Sequence, residues 1–577
     1  MNYNELANLL FPNITKTPED YYKKYPPRKT PALRFAPSPT GFLHIGSLGT
    51  TLAGRMLADK LGGVFYLRIE DTDQKREIEG AVETLIKDFA NFGIKFDEGF
   101  DGKQDFGKYG AYVQSKRLEI YHTFAKRLVE LGRAYPCFCT PEYLDQIRQD
   151  QTAKKIDPGY RAEWLKCRNL SLNQIKENIQ NKISYVLRFD PQITPDKDGN
   201  TPRITWKDLI KGDMSLPAQE NHVVILKSDG IPPYNFAHIV DDTLMRTSHV
   251  TRSEEWLPST AEHIQIARAF SCPEIFKGSS SLSLTAFPEM KETFNTSGPS
   301  KKNLLQENTA CPFSAKDSRR KDFWYAHLPT ISIMDGDSKR KLSKRKDKEA
   351  LASHFIDQGY PVEAIIEYLL SIYNTDFEMW RLTNPTIPYI DFNFRFEKIG
   401  KNSPLFDLAK LNHISKEIIS KKTKHQIKQE VTEYLTSFNG ITRHIPLNKE
   451  DKKELLKSPS YTEIDKVVAL LNIDRETEKP RKDISKFSDI FSEYTYVFEK
   501  PSEENFSSEE KTLLTNYLTT YKHISTREEW FAHLKSFNNK SLMKLVRRSI
   551  TGKETGPDLY QIMQILGHTE VTTRLKH

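Results

Sequence analysis

Residues 32 to 71 leave this chain few folds to choose from. The apolar run Ala32 to Ala36 stops at Pro37-Ser38-Pro39-Thr40-Gly41, and an amphipathic run through Leu48, Leu52, Met56 and Leu61 ends at Gly62-Gly63. The β-branched and aromatic run Val64 to Asp71 follows at once. That spacing predicts strand, tight loop, helix and strand, a βαβ unit of a parallel sheet. The loop then sits at the carboxyl end of a parallel strand. Open α/β sheets bind ligands there, and a helix start offers free N–H groups to phosphate.

The glycines of this loop follow neither the dinucleotide nor the P-loop spacing. His44 and Gly46 offer instead a donor imidazole and a position without Cβ, against whose backbone a nucleotide can lie. Far downstream, Lys341-Leu342-Ser343-Lys344-Arg345 follows a strand-like run (Thr330 to Met334) and an Asp335-Gly336-Asp337 turn. Two lysines three apart on such a loop can bring ammonium groups to a triphosphate as pyrophosphate leaves. Alone, either motif also reads as an incidental histidine or a solvated basic loop.

Together, His44 to Ser47 and Lys341 to Arg345 resemble the two signatures of class I aminoacyl-tRNA synthetases. Arg34 to Gly41, Leu67 to Asp73 and Thr251 to Trp256 resemble the bacterial-type glutamyl-tRNA synthetase family, and the resemblance runs from about residue 31 to the C-terminus. It implies an α/β protein: a class I Rossmann-like parallel-sheet catalytic domain with an inserted α+β connective domain, followed by all-α stem-contact and anticodon-binding domains. The corresponding boundaries are a short non-catalytic extension (1–30), the two catalytic halves (31–110 and 221–345), the connective, acceptor-binding region (111–220), the stem-contact region (346–420) and the helical anticodon region (421–577). Residues 271–321, polar and turn-rich, read as a flexible insertion. Within the second half, His222 to Leu226 and Tyr234 to Asp242 read as strands and Leu257 to Phe270 as a helix.

The resemblance also implies the chemistry: ATP-dependent activation of L-glutamate, then transfer to the 3′ end of tRNA-Glu, with tRNA-Gln left open as a second acceptor. His44, Gly46, Lys341 and Lys344 are the expected catalytic residues, and Mg²⁺ is expected to arrive with ATP. Pro37, Thr40, Gly41, His44, Gly46, Ser47, Ser343 and Lys344 are expected to bind the nucleotide. For the amino acid, Arg34 is assigned to the side-chain carboxylate, Arg252 to the other carboxylate and Glu70 with Ser38 to the ammonium. Tyr234 is expected to donate its hydroxyl. His238 stands where the family often has asparagine.

Five cysteines, Cys137, Cys139, Cys167, Cys272 and Cys311, are too few and odd for a disulfide framework, and a reducing cytoplasm is expected. Cys137, Cys139 and Cys167 can converge as soft ligands. Two readings stand: three reduced thiols, or a structural zinc site whose fourth ligand by resemblance is Tyr160, with Glu163 as the alternative. The net charge of +8 permits a polyanionic partner without requiring one. No stretch of apolar residues is long enough to span a membrane, and a monomer is expected from the family. A glutaminyl enzyme is opposed by Arg34, which suits an anionic side chain, and by the helical C-terminal region. A catalytically silent tRNA-binding paralogue is opposed by the intact motifs.

Overall fold

The computed structural model describes residues 1–39, 41–73, 78–195, 198–271, 323–343, 345–436, 461–501, 506–521 and 526–576. Thr40, Lys344 and all of the expected insertion after Ser271 lie outside them. The chain forms two units, Met1–Ala350 with Ile372–Leu405, and Leu351–Ser371 with Phe406–His577.

In the first unit α1 (Tyr3–Leu10) and α2 (Pro18–Lys24) precede β1 (Ala32–Phe35), α3 (Ile45–Lys60) and β2 (Val64–Leu67), the expected βαβ unit. Next come α4 (Ala81–Asn91), the short pair β3 (Gly99–Phe100) and β4 (Asp105–Phe106), α5 (Leu118–Glu130), β5 (Ala134–Cys137), α6 (Pro141–Ala153), α7 (Leu172–Gln180) and β6 (Val186–Phe189). The chain continues through β7 (Arg203–Asp208), β8 (Gly212–Pro217), β9 (Val224–Leu226), α8 (Tyr234–Leu244), β10 (His249–Ser253) and α9 (Thr260–Ser271). β11 (Trp324–Leu328) and the hairpin of β12 (Ser332–Asp335) and β13 (Ser338–Lys341) follow.

The main sheet has the order β2-β1-β10-β11-β7-β8, parallel from β2 to β7, with β8 antiparallel at one edge. The chain leaves β1 toward β2 and later returns on its other side at β10. Strand order therefore reverses at β1, and the crevice beyond the carboxyl ends of β1 and β10 is the place for a ligand.

Three expectations are corrected. Tyr234 to Asp242 is the helix α8, not a strand: Phe236, Val240 and Leu244 share one buried face at helical spacing. A short apolar run does not distinguish a buried helix from a strand by period alone. β7 and β8, expected in the connective region, belong to the main sheet through Tyr325 and Asp208. β9, expected in the parallel sheet, instead closes a three-stranded antiparallel sheet with β5 and β6.

The first 30 residues are built into the core. Leu6, Phe11, Tyr21 and Tyr25 pack with Tyr121, Phe124 and Leu128 of α5, and the Tyr25 hydroxyl donates to the Gly110 carbonyl at 2.9 Å. In the second unit every described element is helical. Ile427, Val431, Val467, Leu470, Tyr517, Trp530, Val546, Ile550, Ile562 and Val571 make one core there. Helix Leu542–Thr551 stops at Gly552, whose φ of +69° is the left-handed C-cap that glycine adopts without strain. Among the described residues no helix is long and apolar enough to cross a membrane.

Candidate active site

His44 caps α3: its Nδ1 accepts the Gly46 N–H at 2.9 Å. Its Nε2–H donates to the Leu342 carbonyl at 3.2 Å, so two motifs 298 residues apart meet at one hydrogen bond. A Cβ on Gly46 would lie 3.1 Å from His44 Nδ1, and the glycine thus keeps room for the ring at the helix start. Beyond Leu342 the loop is held from behind. Arg340 donates two 2.7 Å bonds to Asp347, and Asp347 accepts the Ser343 N–H at 2.8 Å. Lys341 is exposed and reaches Glu255 at 2.5 Å. Pro37 and Gly41 on the first loop and Ser47 in the first turn of α3 are half-buried, whereas Ser38 is exposed. The Glu70 N–H donates to the Pro37 carbonyl at 2.9 Å, which sets that carboxyl beside the loop.

Behind the loop lies a buried charge cluster. Arg68 NH1 donates to Asp242 at 2.8 Å and its NH2 to Glu70 at 2.9 Å. Arg34 donates through Nε and NH2 to Asp242, each at 3.3 Å, and through NH1 to the Thr251 carbonyl at 3.2 Å. Asp241 accepts from Arg117 at 2.7 Å, from Gln114 at 2.8 Å and from Tyr121 at 2.9 Å. Asp241 and Asp242 both come from α8, Arg34 from β1, Arg68 from the residue after β2 and Arg117 from the residue before α5. Burial raises the Glu70 carboxyl to about 7, against the attraction of Arg68 and Arg34. Asp242 is held well below its ordinary value: Arg34 and Arg68 outweigh the burial that opposes them.

Arg252 is different. It is buried like Arg34, yet its partners are all uncharged: His327, His263, the Thr260 hydroxyl and the Trp256 carbonyl. Among the described residues no carboxylate pairs with it. A buried guanidinium without a counter-charge is costly unless an anion completes the site. Tyr234 and His238, one turn apart on α8, stack at 4.4 Å beside this arginine's shell, with Trp256 4.3 Å from Tyr234 and His263 4.4 Å from His238. His238 Nδ1–H donates to the Tyr234 carbonyl at 2.8 Å, and burial lowers this imidazole to about 3. It is therefore neutral, with Nε2 as an acceptor only.

The sulfurs of Cys137 at the end of β5, Cys139 just after it and Cys167 between α6 and α7 lie within 4.8 Å of one another. Tyr160 joins them, its hydroxyl 3.3 Å from Cys139 Sγ. Glu163 is exposed. Hydrogen bonds from Cys139 and Cys167 lower the Cys137 thiol. Three thiols, one of them disposed to ionise, and a phenol make a donor set that fits a tetrahedral zinc ion.

Residues 32–285 match the family model "tRNA synthetases class I (E and Q), catalytic domain", and residues 458–577 match "Anticodon binding domain". The chain is 38% identical to the glutamate–tRNA ligase of Clostridium perfringens strain 13, over 100% of both chains. The chain belongs to the glutamate–tRNA ligase family. It is 36% identical to the family member of Acetivibrio thermocellus, again over 100% of both chains. Its fold matches the crystal structure of a glutamate tRNA ligase from Elizabethkingia meningosepticum in complex with its amino acid, with a TM-score of 0.67 and 23% identity over 95% of this chain and 98% of the other.

Within this glutamate–tRNA ligase fold, the charges of Arg34, Glu70, Asp242 and Arg252 all act on Tyr234, which stacks on His238, and His44 and Gly46 stand beside the Leu342 end of the second motif. Sequence reasoning missed Arg68, Asp241, Asp242, Asp208, His263 and His327. The paired acids in the apolar run Ile239 to Leu244 were the one local signal, because a buried carboxylate requires a partner.

Proposed function

We propose that this chain activates L-glutamate with ATP and esterifies it to the 3′ end of tRNA-Glu. A glutamate carboxylate oxygen attacks the α-phosphorus, the bond to the β-phosphate oxygen breaks, and pyrophosphate leaves. A terminal ribose hydroxyl of the tRNA then attacks the acyl carbon and AMP departs. Neither step needs a protein nucleophile, so positioning and charge stabilisation carry the catalysis.

The observation that carries this reading is Arg252, a buried cation with an uncharged shell, whose charge and that of the Glu70 carboxyl both act on Tyr234. One cation and one acid suit the carboxylate and ammonium of an amino acid. Arg34, part-committed to Asp242, supplies the second guanidinium for the side-chain carboxylate, and Tyr234 a hydroxyl. His44 exchanges the Leu342 carbonyl for a phosphate oxygen, Gly46 admits the adenosine, and Lys341 and Lys344 neutralise the departing pyrophosphate. The nucleotide lies along Pro37, Thr40, Gly41, Ser47 and Ser343, and Mg²⁺ arrives with it. Ser38 assists Glu70 at the ammonium.

Residues 111–220 would meet the acceptor end of the tRNA and 346–420 its stem, the anticodon falling to the helical C-terminal region of this monomer. Cys137, Cys139, Tyr160 and Cys167 would hold a structural zinc that braces the acceptor-end region. The test is glutamate-dependent exchange of pyrophosphate into ATP, run with and without tRNA-Glu and repeated with glutamine, followed by charging of tRNA-Glu and tRNA-Gln. Exchange that requires glutamate and tRNA supports the reading. Exchange with glutamine in preference overturns the amino-acid assignment, and tRNA binding without any exchange identifies a silent paralogue.

A further inference from the structure

The Arg252 guanidinium is aimed by acceptors whose lone pairs are themselves held in place. Its Nε–H donates to His327 Nε2 at 3.0 Å, NH1 to His263 Nδ1 at 3.1 Å, and NH2 to the Thr260 hydroxyl at 2.9 Å. An imidazole accepts only on a nitrogen without a proton. Both rings must then be neutral and of opposite tautomer, His327 protonated on Nδ1 and His263 on Nε2.

Each ring is backed by a relay that ends in a carboxylate. His327 Nδ1–H donates to Asp208 Oδ2 at 2.5 Å, and Asp208 Oδ1 accepts the Ile210 and Lys211 N–H groups at 2.9 Å each. His263 Nε2–H donates to Asn235 Oδ1 at 3.1 Å, and the Asn235 amide donates to Glu262 at 2.7 Å. The first relay crosses three neighbouring parallel strands, since Arg252 faces His327 in the β10–β11 register and Tyr325 faces Asp208 in the β11–β7 register. All three side chains are buried, so solvent does not replace a lost partner.

We infer that Asp208 and His327 are positioning residues for amino-acid recognition: the Asp208 carboxylate fixes the His327 tautomer, and the His327 lone pair aims the Arg252 guanidinium at the substrate carboxylate. The inference rests on the proposed function, in which Arg252 holds that carboxylate. It assigns a substrate-directed role to strand β7, which carries no motif and makes no substrate contact in the proposed site.

Asp208→Asn is the decisive variant. With its carbonyl oxygen bound to the two backbone N–H groups, the new side-chain amide would present its NH₂ to His327 Nδ1. The ring proton would move to Nε2, facing the Arg252 Nε–H donor to donor. The KM for glutamate is expected to rise about 10-fold or more, as for a buried donor left unpaired, with the KM for ATP within about twofold of the parent. His327→Leu should act likewise, whereas His327→Gln, whose Oε1 can accept from Arg252, should recover most of the loss. Adding Asp208→Asn to Arg252→Gln should raise the glutamate KM no further.

Histidine ¹⁵N NMR on the unaltered protein reads the tautomers without any variant, and the opposite tautomer at His327 overturns the inference. So does an unchanged glutamate KM in folded Asp208→Asn and His327→Leu proteins, or an equal rise in the KM of glutamate and ATP. If Arg252→Gln itself leaves the glutamate KM unchanged, the proposed role of Arg252 fails, whatever the NMR shows.

Discussion

At pH 6 glutamate should bind this protein about tenfold more weakly than at pH 8, because in the proposed function Glu70 takes the substrate ammonium only when ionised. Burial raises its carboxyl from 4.5 to about 7, despite Arg68 and Arg34 nearby. With a pKa of about 7, the ionised fraction falls from about nine-tenths at pH 8 to about one-tenth at pH 6, which is the tenfold ratio. Glutamate's own groups titrate outside this window, and burial lowers His238 and His327 below it, to about 3 and about 4. Calorimetry of glutamate binding, repeated in buffers of different ionisation enthalpy, measures both consequences: the falling affinity, and the release of about half a proton per glutamate bound at pH 7. Glu70→Gln should bind glutamate weakly with no pH dependence between 6 and 8. A flat profile in the parent, or a midpoint below pH 5.5, would refute the assigned role. The same shift sets a stability term of definite sign. Raised above its unfolded value, Glu70 stabilises the fold fully below pH 4.5, and that contribution is lost as the pH rises through about 7.

Lys344→Ala should slow pyrophosphate exchange by about 10² or more while tRNA affinity, read by filter binding, stays near the parent value. Leu6→Ala should cost about 2–5 kcal/mol in urea unfolding, because Leu6 is fully buried against α5; a cost below about 0.5 kcal/mol would show that the first helix is dispensable. The buried neutral imidazoles His238, His249 and His327 are held at about 3, 4 and 4 against an ordinary 6.5. The stability they contribute is present above pH 6.5 and lost on acidification, about 2 kcal/mol each at pH 5, so the thermal midpoint should fall steeply from pH 7 to 5. Mass spectrometry of the native protein should find one zinc per chain, and Cys139→Ser should release it with loss of thermal stability; a metal-free parent would leave three reduced thiols.

Much of the fold was legible because it is written locally. Pro37 to Gly41 between two apolar runs could only be a strand-to-helix loop, and the helices around Val362, Leu408, Leu542 and Leu559 carry their periods openly. The two motifs were legible because each is a run of a few particular residue types, His44 to Ser47 and Lys341 to Arg345. α8 was misread because its β-branched residues suit a strand as well as a buried helix, and its decisive feature, Asp241 and Asp242 facing arginines, is tertiary. β7 and β9 exchanged sheets because a short strand's partner depends on the whole layer, not on its own residues.

The sequence by itself determined the βαβ unit with its loop, the two motifs, the family and the helical character of the C-terminal region, since each rests on periodicity or on residue types within a few positions. Only the tertiary structure decided which charges pair. Arg34 and Arg68 share Asp242, while Arg252, equally buried, is left among neutral acceptors. Those partners lie up to 208 residues apart in the chain. Sheet order and burial bring them together, and the low polarisability of the interior makes each pairing count, which no local pattern encodes.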